Sequence, residues 1–181
     1  MEASLHDDIL IQRARKGDQT AFRMLVERYE ASVRGIVRGM VGNAQAEDIA
    51  QEVFLKFYRS MHQFAGNAKL STYLGRIAIN TALTALDKRK RRPAAMGTDD
   101  LRLVHRADPS QSPERQELQD ALKQALDRLS EEYRAVVVLR LVEGYSVSET
   151  AELLQIPMGT VASRLSRAQK ELQQYLKPIL R

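Results

Sequence analysis

The chain has 181 residues, enough for one or two domains that each bury a modest core. Its 28 Lys and Arg against 23 Asp and Glu give a net charge of +5, which favours a polyanionic partner without demanding one. The absence of cysteine excludes disulfides and thiolate metal sites, and His6, His62 and His105 share no ligand spacing, so no metal or other cofactor is expected.

Met1-Glu2-Ala3-Ser4 lacks the basic-then-apolar layout of a secretion signal. A short helix is predicted around Asp8 to Lys16, stopping at Gly17. Asp18 then caps a long helix in which Phe22, Leu25, Val26, Tyr29, Val33, Ile36, Val37 and Met40 form one apolar stripe. Gly42-Asn43 ends it, and a third helix covers residues 44–61. Glu47, Asp48, Gln51 and Glu52 gather on one side of that helix, followed by Val53, Phe54 and Phe57. Clustered carboxylates can ligate magnesium or share a proton. These, however, sit in the first turns, where negative charge complements the helix dipole, and neither a nucleophile nor a histidine accompanies them. Acidic and apolar groups side by side fit a protein-docking face better.

Gln63 to Lys69 reads as a loop by its Gly-Asn content, and a fourth helix follows over residues 70–89. That helix is apolar on two sides, Leu70, Leu74 and Ile77 on one and Ile79, Leu83 and Leu86 on the other. Between them Tyr73, Arg76 and Asn80 line up at i, i+3 and i+7, a set able to stack on and hydrogen-bond unpaired bases. The helix runs into Asp87-Lys88-Arg89-Lys90-Arg91-Arg92, whose five basic residues suit a phosphate backbone. An intramolecular polar seam followed by a solvated charge run explains the same residues equally well. Composition leaves both readings open.

Pro93 to Pro113 holds three of the five prolines and no sustained period, which marks a flexible linker. Ser112-Pro113 opens the next helix, with its stripe at Leu118, Leu122, Leu126 and Leu129, and Ser130 starts another that ends at Gly144. The most apolar run, Ala135 to Val142, is broken by Arg140 and is far too short to span a bilayer. No membrane insertion is expected, and the chain is read as cytoplasmic. No alternating strand pattern survives, so the fold class is all-α. Two small helical domains, 1–92 and 113–181, are joined by the linker over 93–112.

The last third carries the sharpest signal. Ser146 and Glu149 are placed to form a capping box on a short helix with Val147, Ala151 and Leu154 facing inward. Pro157 and Gly159 mark a turn, and Thr160 is placed to cap a second helix. On that helix Val161, Leu165, Ala168 and Leu172 make the core stripe. Ser163, Arg167 and Lys170 lie opposite, with Ser166 and Thr160 beside them. A helix fits the DNA major groove, where arginine bonds guanine bidentately and serine or lysine holds base edges or phosphates. The pattern is a helix-turn-helix; an ordinary helical hairpin with a basic face is the plainer alternative.

Asp48-Ile49-Ala50-Gln51-Glu52-Val53-Phe54, Phe64-Ala65-Gly66-Asn67, the run Thr72 to Asn80 and the closing run Gly159 to Ala168 stand in an order and spacing that resemble a bacterial sigma factor of the extracytoplasmic-function (group IV) class. The resemblance implies a promoter-specificity subunit with no catalytic residue of its own. Asp48, Gln51, Glu52 and Phe54 would dock on core RNA polymerase. Phe64, Gly66, Asn67, Lys69 and Asn80 would hold a flipped base of the −10 element, with Tyr73 and Arg76 near the melted strand. Lys88, Arg91 and Arg92 would grip the adjacent backbone. Thr160, Ser163, Arg164, Ser166, Arg167 and Lys170 would read or clamp the −35 element of promoter DNA. The class also implies an anti-sigma partner. Tyr73 stands where the class often has tryptophan, Asn67 where aspartate is frequent and Ala162 where a basic residue is common.

Rival readings fit fewer residues. A free-standing repressor needs a dimer interface and paired half-sites, and the chain has no heptad zipper. A recombinase-like enzyme needs a supported nucleophile, and Ser4 has no company. A non-DNA adaptor would leave both basic faces as solvated surface.

Overall fold

A computed structural model describes residues 2–91 and 113–177 of the chain. The linker expected over 93–112, together with Arg92, lies outside the described residues. Eight α-helices account for most of the described chain, with no strand among the described residues, so the fold is all-α.

The first four are α1 (Glu2–Arg15), α2 (Gln19–Val41), α3 (Asn43–Ser60) and α4 (Leu70–Arg91). Asp18 caps α2 as expected, its carboxylate accepting from the Ala21 amide at 3.0 Å. That hydrogen bond and the neighbouring Arg13 hold the Asp18 carboxyl below its usual range. The apolar stripe of α2 is the centre of this half: Leu25, Val33, Ile36, Val37 and Met40 are buried against α1, α3 and α4. Phe57 from α3 completes the centre, with Phe22 stacked on it at 5.9 Å and Tyr73 meeting its edge at 6.2 Å. Asp7 ties α1 to α2 by accepting from both Arg28 and Tyr29. Arg15 crosses to the end of α3, donating to the Met61 carbonyl and to that of Phe64, and so holds the start of the 64–69 loop.

The second half contains α5 (Pro113–Arg128), α6 (Glu131–Val137), α7 (Val147–Leu154) and α8 (Met158–Leu176). Ser130 caps α6, accepting from the Tyr133 amide, and α6 continues into a π-helical segment, Val138–Val142. Its core joins Ala125, Leu126 and Leu129 of the α5 end to Val137, Ala168 and Leu172. Arg128 sits over the Tyr175 ring at 5.3 Å.

Two local expectations change. The turn before α8 hinges on Gln155, the one described non-glycine residue with positive φ (54°), and Pro157 rather than Thr160 stands at the N-cap. Thr160 is already in the first helical turn, its amide donating to the Pro157 carbonyl at 2.9 Å. On α7 the most buried side chains are Thr150 and Leu153, while Val147, Ala151 and Leu154 are only half-buried. The reason is tertiary: α7 packs on two partners, α8 and α4, so its inward face is rotated from the one an isolated hairpin would bury.

That second contact joins the halves. Ala135, Val138, Leu139 and Leu153 belong to the same buried cluster as the α1–α4 core. Close approach needs glycine: a Cβ on Gly39 of α2 would lie 2.7 Å from a Val138 methyl, and one on Gly75 of α4 would lie 3.0 Å from a Leu153 methyl.

Candidate nucleic-acid and polymerase interfaces

The expected polymerase-docking residues sit on α3. Asp48, Gln51 and Glu52 are exposed along one face, where Glu52 pairs with Lys56 at 2.9 Å and Gln51 donates to Glu47 at 3.3 Å. Phe54 is not on that face: it is half-buried and packs against the core. Its neighbour Leu55 is 57% exposed and falls at i+7 from Asp48 and i+3 from Glu52, so it shares the carboxylate face. Helical spacing alone distinguishes the two, and sequence reasoning passed over Leu55 because phenylalanine is the larger apolar group.

The residues expected at a melted strand divide more sharply. Gly66, with φ +76°, and Asn67 form the exposed tip of the loop. Lys69, immediately before α4, and Tyr73, Arg76 and Asn80 on it follow at successive helical spacings and form one stripe. Phe64 does not join them. It is 7% exposed, its ring 5.0 Å from that of Tyr73, and it serves the core instead of offering a stacking surface. Tyr73 is half-buried between Phe57 and Phe64, with its hydroxyl donating to Ser60 Oγ at 2.9 Å. Its ring is thus a wall of the loop.

The remaining stripe residues have different partners. Lys69 lies 3.2 Å from the Glu149 carboxylate, and Arg76 donates to the Glu152 carbonyl at 3.1 Å with the Glu152 carboxylate 3.7 Å away. Both acidic residues come from α7, so this part of the stripe is an interhelical polar seam as well as a candidate binding surface. Asn80 is exposed. Lys88 and Arg91 are exposed on the last turns of α4, and Lys90 between them pairs with Glu131 at 2.9 Å. Positive charge there also complements the negative end of the helix dipole.

On α7 the Ser146–Glu149 capping box is complete: the Glu149 amide donates to Ser146 Oγ at 3.2 Å, and the Ser146 amide donates to Glu149 Oε2 at 2.9 Å. On α8 Val161, Ala168 and Leu172 are buried and Leu165 half-buried, which turns Ser163, Ser166, Arg167 and Lys170 outward. Thr160 is half-buried at the start of this face, and its carbonyl accepts from Ser163 Oγ at 3.1 Å. Arg164 stands apart, 24% exposed and paired with Glu132 at 2.8 Å. Arg167 makes no ion pair with any described residue. Met158, 58% exposed at the first turn of α8, adds an apolar group of the kind that meets thymine methyls. Its position beside the expected turn hid it from the sequence reading.

Among the described residues no three His, Cys, Asp or Glu side chains come together as a metal ion would need. No described helix is long and apolar enough to cross a membrane.

Residues 25–92 match the family model for Sigma-70 region 2, and residues 119–172 match that for Sigma-70, region 4. The RNA polymerase sigma-H factor of Pseudomonas aeruginosa is 38% identical across 97% of this chain and 96% of its own length. The ECF RNA polymerase sigma-E factor of Escherichia coli strain K12 is 33% identical, with both chains covered in full (100% each). Among solved structures, CnrH in complex with the cytosolic domain of CnrY superposes with a TM-score of 0.71 at 25% identity, covering 96% of this chain and 98% of that one. The sigma factor RpoE in complex with the anti-sigma factor NepR from Bartonella quintana gives 0.68 at 26% identity, covering 86% and 96%.

Proposed function

The chain belongs to the extracytoplasmic-function class of sigma-70-type RNA polymerase sigma factors, and from that premise we propose how its two halves divide the work of promoter recognition. The unit over residues 1–92 binds core polymerase and the −10 element, the unit over 113–181 binds the −35 element, and residues 93–112 tether them. Chemistry belongs to the polymerase; the chain contributes binding and positioning and acts in the cytoplasm.

The observation that carries this reading is the outer face of α8. Ser163, Ser166, Arg167 and Lys170 are exposed on a helix whose opposite side is held in the core. Such a face enters a major groove without rearranging the domain. Arg167 supplies the bidentate base contact, Ser163 and Ser166 the shorter ones, and Lys170 a phosphate contact. Arg164, at the flank and beside Glu132, clamps backbone.

The exposed α3 face fits the first task. Asp48, Gln51, Glu52 and Leu55 combine acceptors with an apolar centre, the composition of a protein-docking patch. Gly66, Asn67, Lys69, Arg76 and Asn80 hold bases of the melted −10 strand, with Phe64 and Tyr73 as the rigid wall behind them. Capturing an extruded base offsets an unstacking cost of about a few kcal/mol. Lys88, Arg91 and Arg92 hold the backbone nearby. An anti-sigma protein regulates the chain, as the NepR complex of the related RpoE suggests.

The test mixes the purified chain with core RNA polymerase and a promoter library and sequences the transcripts. Promoter-directed initiation that requires the chain is the expected result. Sequence-specific DNA binding with no polymerase dependence would support a repressor instead, and altered DNA would support an enzyme.

A further inference from the structure

The outer face of α8 has two sides. At about 100° per residue, Ser163, Arg167 and Lys170 lie about 120–180° round the axis from Met158 and carry the polar and basic groups. Met158, Ala162 and Ser166, at i, i+4 and i+8, form a separate row along one flank, within about 80°. Its first two members bear no charge and no hydrogen-bond donor, so neither can hold a phosphate. Met158 is nevertheless 58% exposed, and Ala162 is exposed beside it. Gly159 follows Met158 on the same turn. A Cβ there would meet nothing within 4 Å, and its φ is not positive, so neither packing nor backbone conformation calls for glycine. Glycine weakens a helix, yet here it leaves open space through which a partner can approach the backbone beside Met158. The turn itself is fixed, because the Thr160 and Val161 amides both donate to the Pro157 carbonyl, at 2.9 Å and 3.1 Å. Met158 is therefore held at the N-terminal tip of α8, the end from which a recognition helix reaches base edges.

The major groove offers one apolar group, the methyl on C5 of thymine. In 5-methylcytosine the same methyl stands at the same place. A flank without donors can bury that methyl but is blind to whether C4 carries an oxygen or an amine. Resting on the −35 reading above, we propose that Met158 and Ala162 form a methyl reader: at one step of the −35 element, beside the base held by Arg167, they discriminate C5-methylated pyrimidines from unmethylated ones. The flexible thioether chain of Met158 closes over the methyl, and the small Ala162 leaves room for it. Arg167 and the Met158 flank thus read different positions by different chemistry, one by hydrogen bonds and one by apolar contact.

The test uses the full chain bound to core RNA polymerase and the promoter that it selects. Each thymine of the −35 element, on either strand, is replaced in turn by deoxyuridine, which removes only the methyl. At one position the native chain should bind the uracil promoter roughly fourfold more weakly, the effect of leaving one methyl-sized group out of an apolar contact. There 5-methylcytosine should bind roughly fourfold more tightly than cytosine, for the same reason. Met158→Ala, an exposed substitution that should melt with the native chain, should bind the thymine and uracil promoters alike, and Met158→Leu should keep the difference. Arg167→Ala should weaken binding to every promoter yet preserve the fourfold ratio. Equal binding of all thymine and uracil promoters, a selected element without an A·T pair, or a uracil effect that survives Met158→Ala overturns the methyl reader and leaves the −35 assignment standing. A uracil effect with no gain from 5-methylcytosine also overturns it, because the whole thymine edge is then being read. If Arg167→Ala changes neither promoter affinity nor sequence preference, the −35 assignment falls and takes the methyl reader with it.

Discussion

Arg134 Nη1 donates to the carbonyl of Met40 at 2.7 Å, so a guanidinium from α6 finishes the last turn of α2 across the boundary between the two halves. Arg134 is 5% exposed; its Nη2 donates to the Asp127 carbonyl at 2.8 Å, and Nη1 also lies 3.3 Å from the Asp127 carboxylate. Burial pushes its pKa down, with Asp127 acting in the opposite direction. Replacing it with an apolar chain, Arg134→Met, leaves the Met40 and Asp127 carbonyls without this donor. Stability should fall by about 2–3 kcal/mol, read from the urea midpoint, because hydrogen bonds to a charged group are among the stronger ones. An unmoved midpoint would mean that water replaces the guanidinium and that the bridge stabilises nothing.

Arg164 and Arg167 should separate by readout. Arg167 is exposed on the outer face of α8, so Arg167→Ala should weaken −35 duplex binding by roughly 1–3 kcal/mol and leave thermal stability unchanged. Arg164 pairs with Glu132, and Arg164→Ala should cost up to about 1 kcal/mol of stability besides its effect on DNA. Electrophoretic mobility shifts against the selected −35 sequence, paired with thermal melts, distinguish them. Identical profiles for the two variants would contradict the division of roles.

The capping box imposes a pH dependence with a definite sign. The Ser146 backbone amide is the main cause, with the Ser146 hydroxyl and Lys69 adding to it, that holds the Glu149 carboxyl below its ordinary value of 4.5. A carboxylate with a lowered folded-state pKa contributes stability that is complete above the unfolded value and is lost as pH falls through the folded one. The stability difference between the native chain and Glu149→Gln should therefore be constant near neutrality and shrink below pH 4.5. Urea unfolding at a series of pH values measures it. A difference that persists unchanged into strong acid would show that the glutamate's charge is irrelevant to the cap.

Phe64 and Asn67 occupy one loop but should fail in different ways. Phe64→Ala empties a buried site against Tyr73 and should cost about 3–5 kcal/mol of stability. Asn67→Ala, at the exposed tip, should leave stability within about 0.5 kcal/mol and alter the preferred −10 base. Calorimetry and open-complex assays on both variants decide. A stable Phe64→Ala chain with lost strand capture would restore Phe64 to the binding surface.

Much of the fold is legible in local pattern. The Asp18 and Ser130 caps, the Ser146–Glu149 box and the stripe of α2 all follow from hydrogen-bonding groups and apolar spacing within a few residues. The outward set on α8 follows the same way, because Val161, Ala168 and Leu172 commit the opposite side to the core. Where two apolar candidates adjoin, as with Phe54 and Leu55, helical spacing puts Leu55 on the carboxylate face, and packing shows Phe54 held against the core. The start of α8 at Met158 rather than at a Thr160 cap likewise depends on the left-handed Gln155, a geometry with no glycine to announce it.

The order of the helices, the Asp18, Ser130 and Ser146 caps and the basic face of the last helix are properties of short stretches of chain, and the amino-acid order alone determined them. The partners of Lys69, Arg76 and Arg134 are not, since Glu149, Glu152 and Met40 stand 80, 76 and 94 residues away along the chain. Only the tertiary structure decided that α7 lies on α4. Helical periodicity specifies which side of a helix is buried but not what buries it, and Gly39 and Gly75 become docking points only once Val138 and Leu153 arrive.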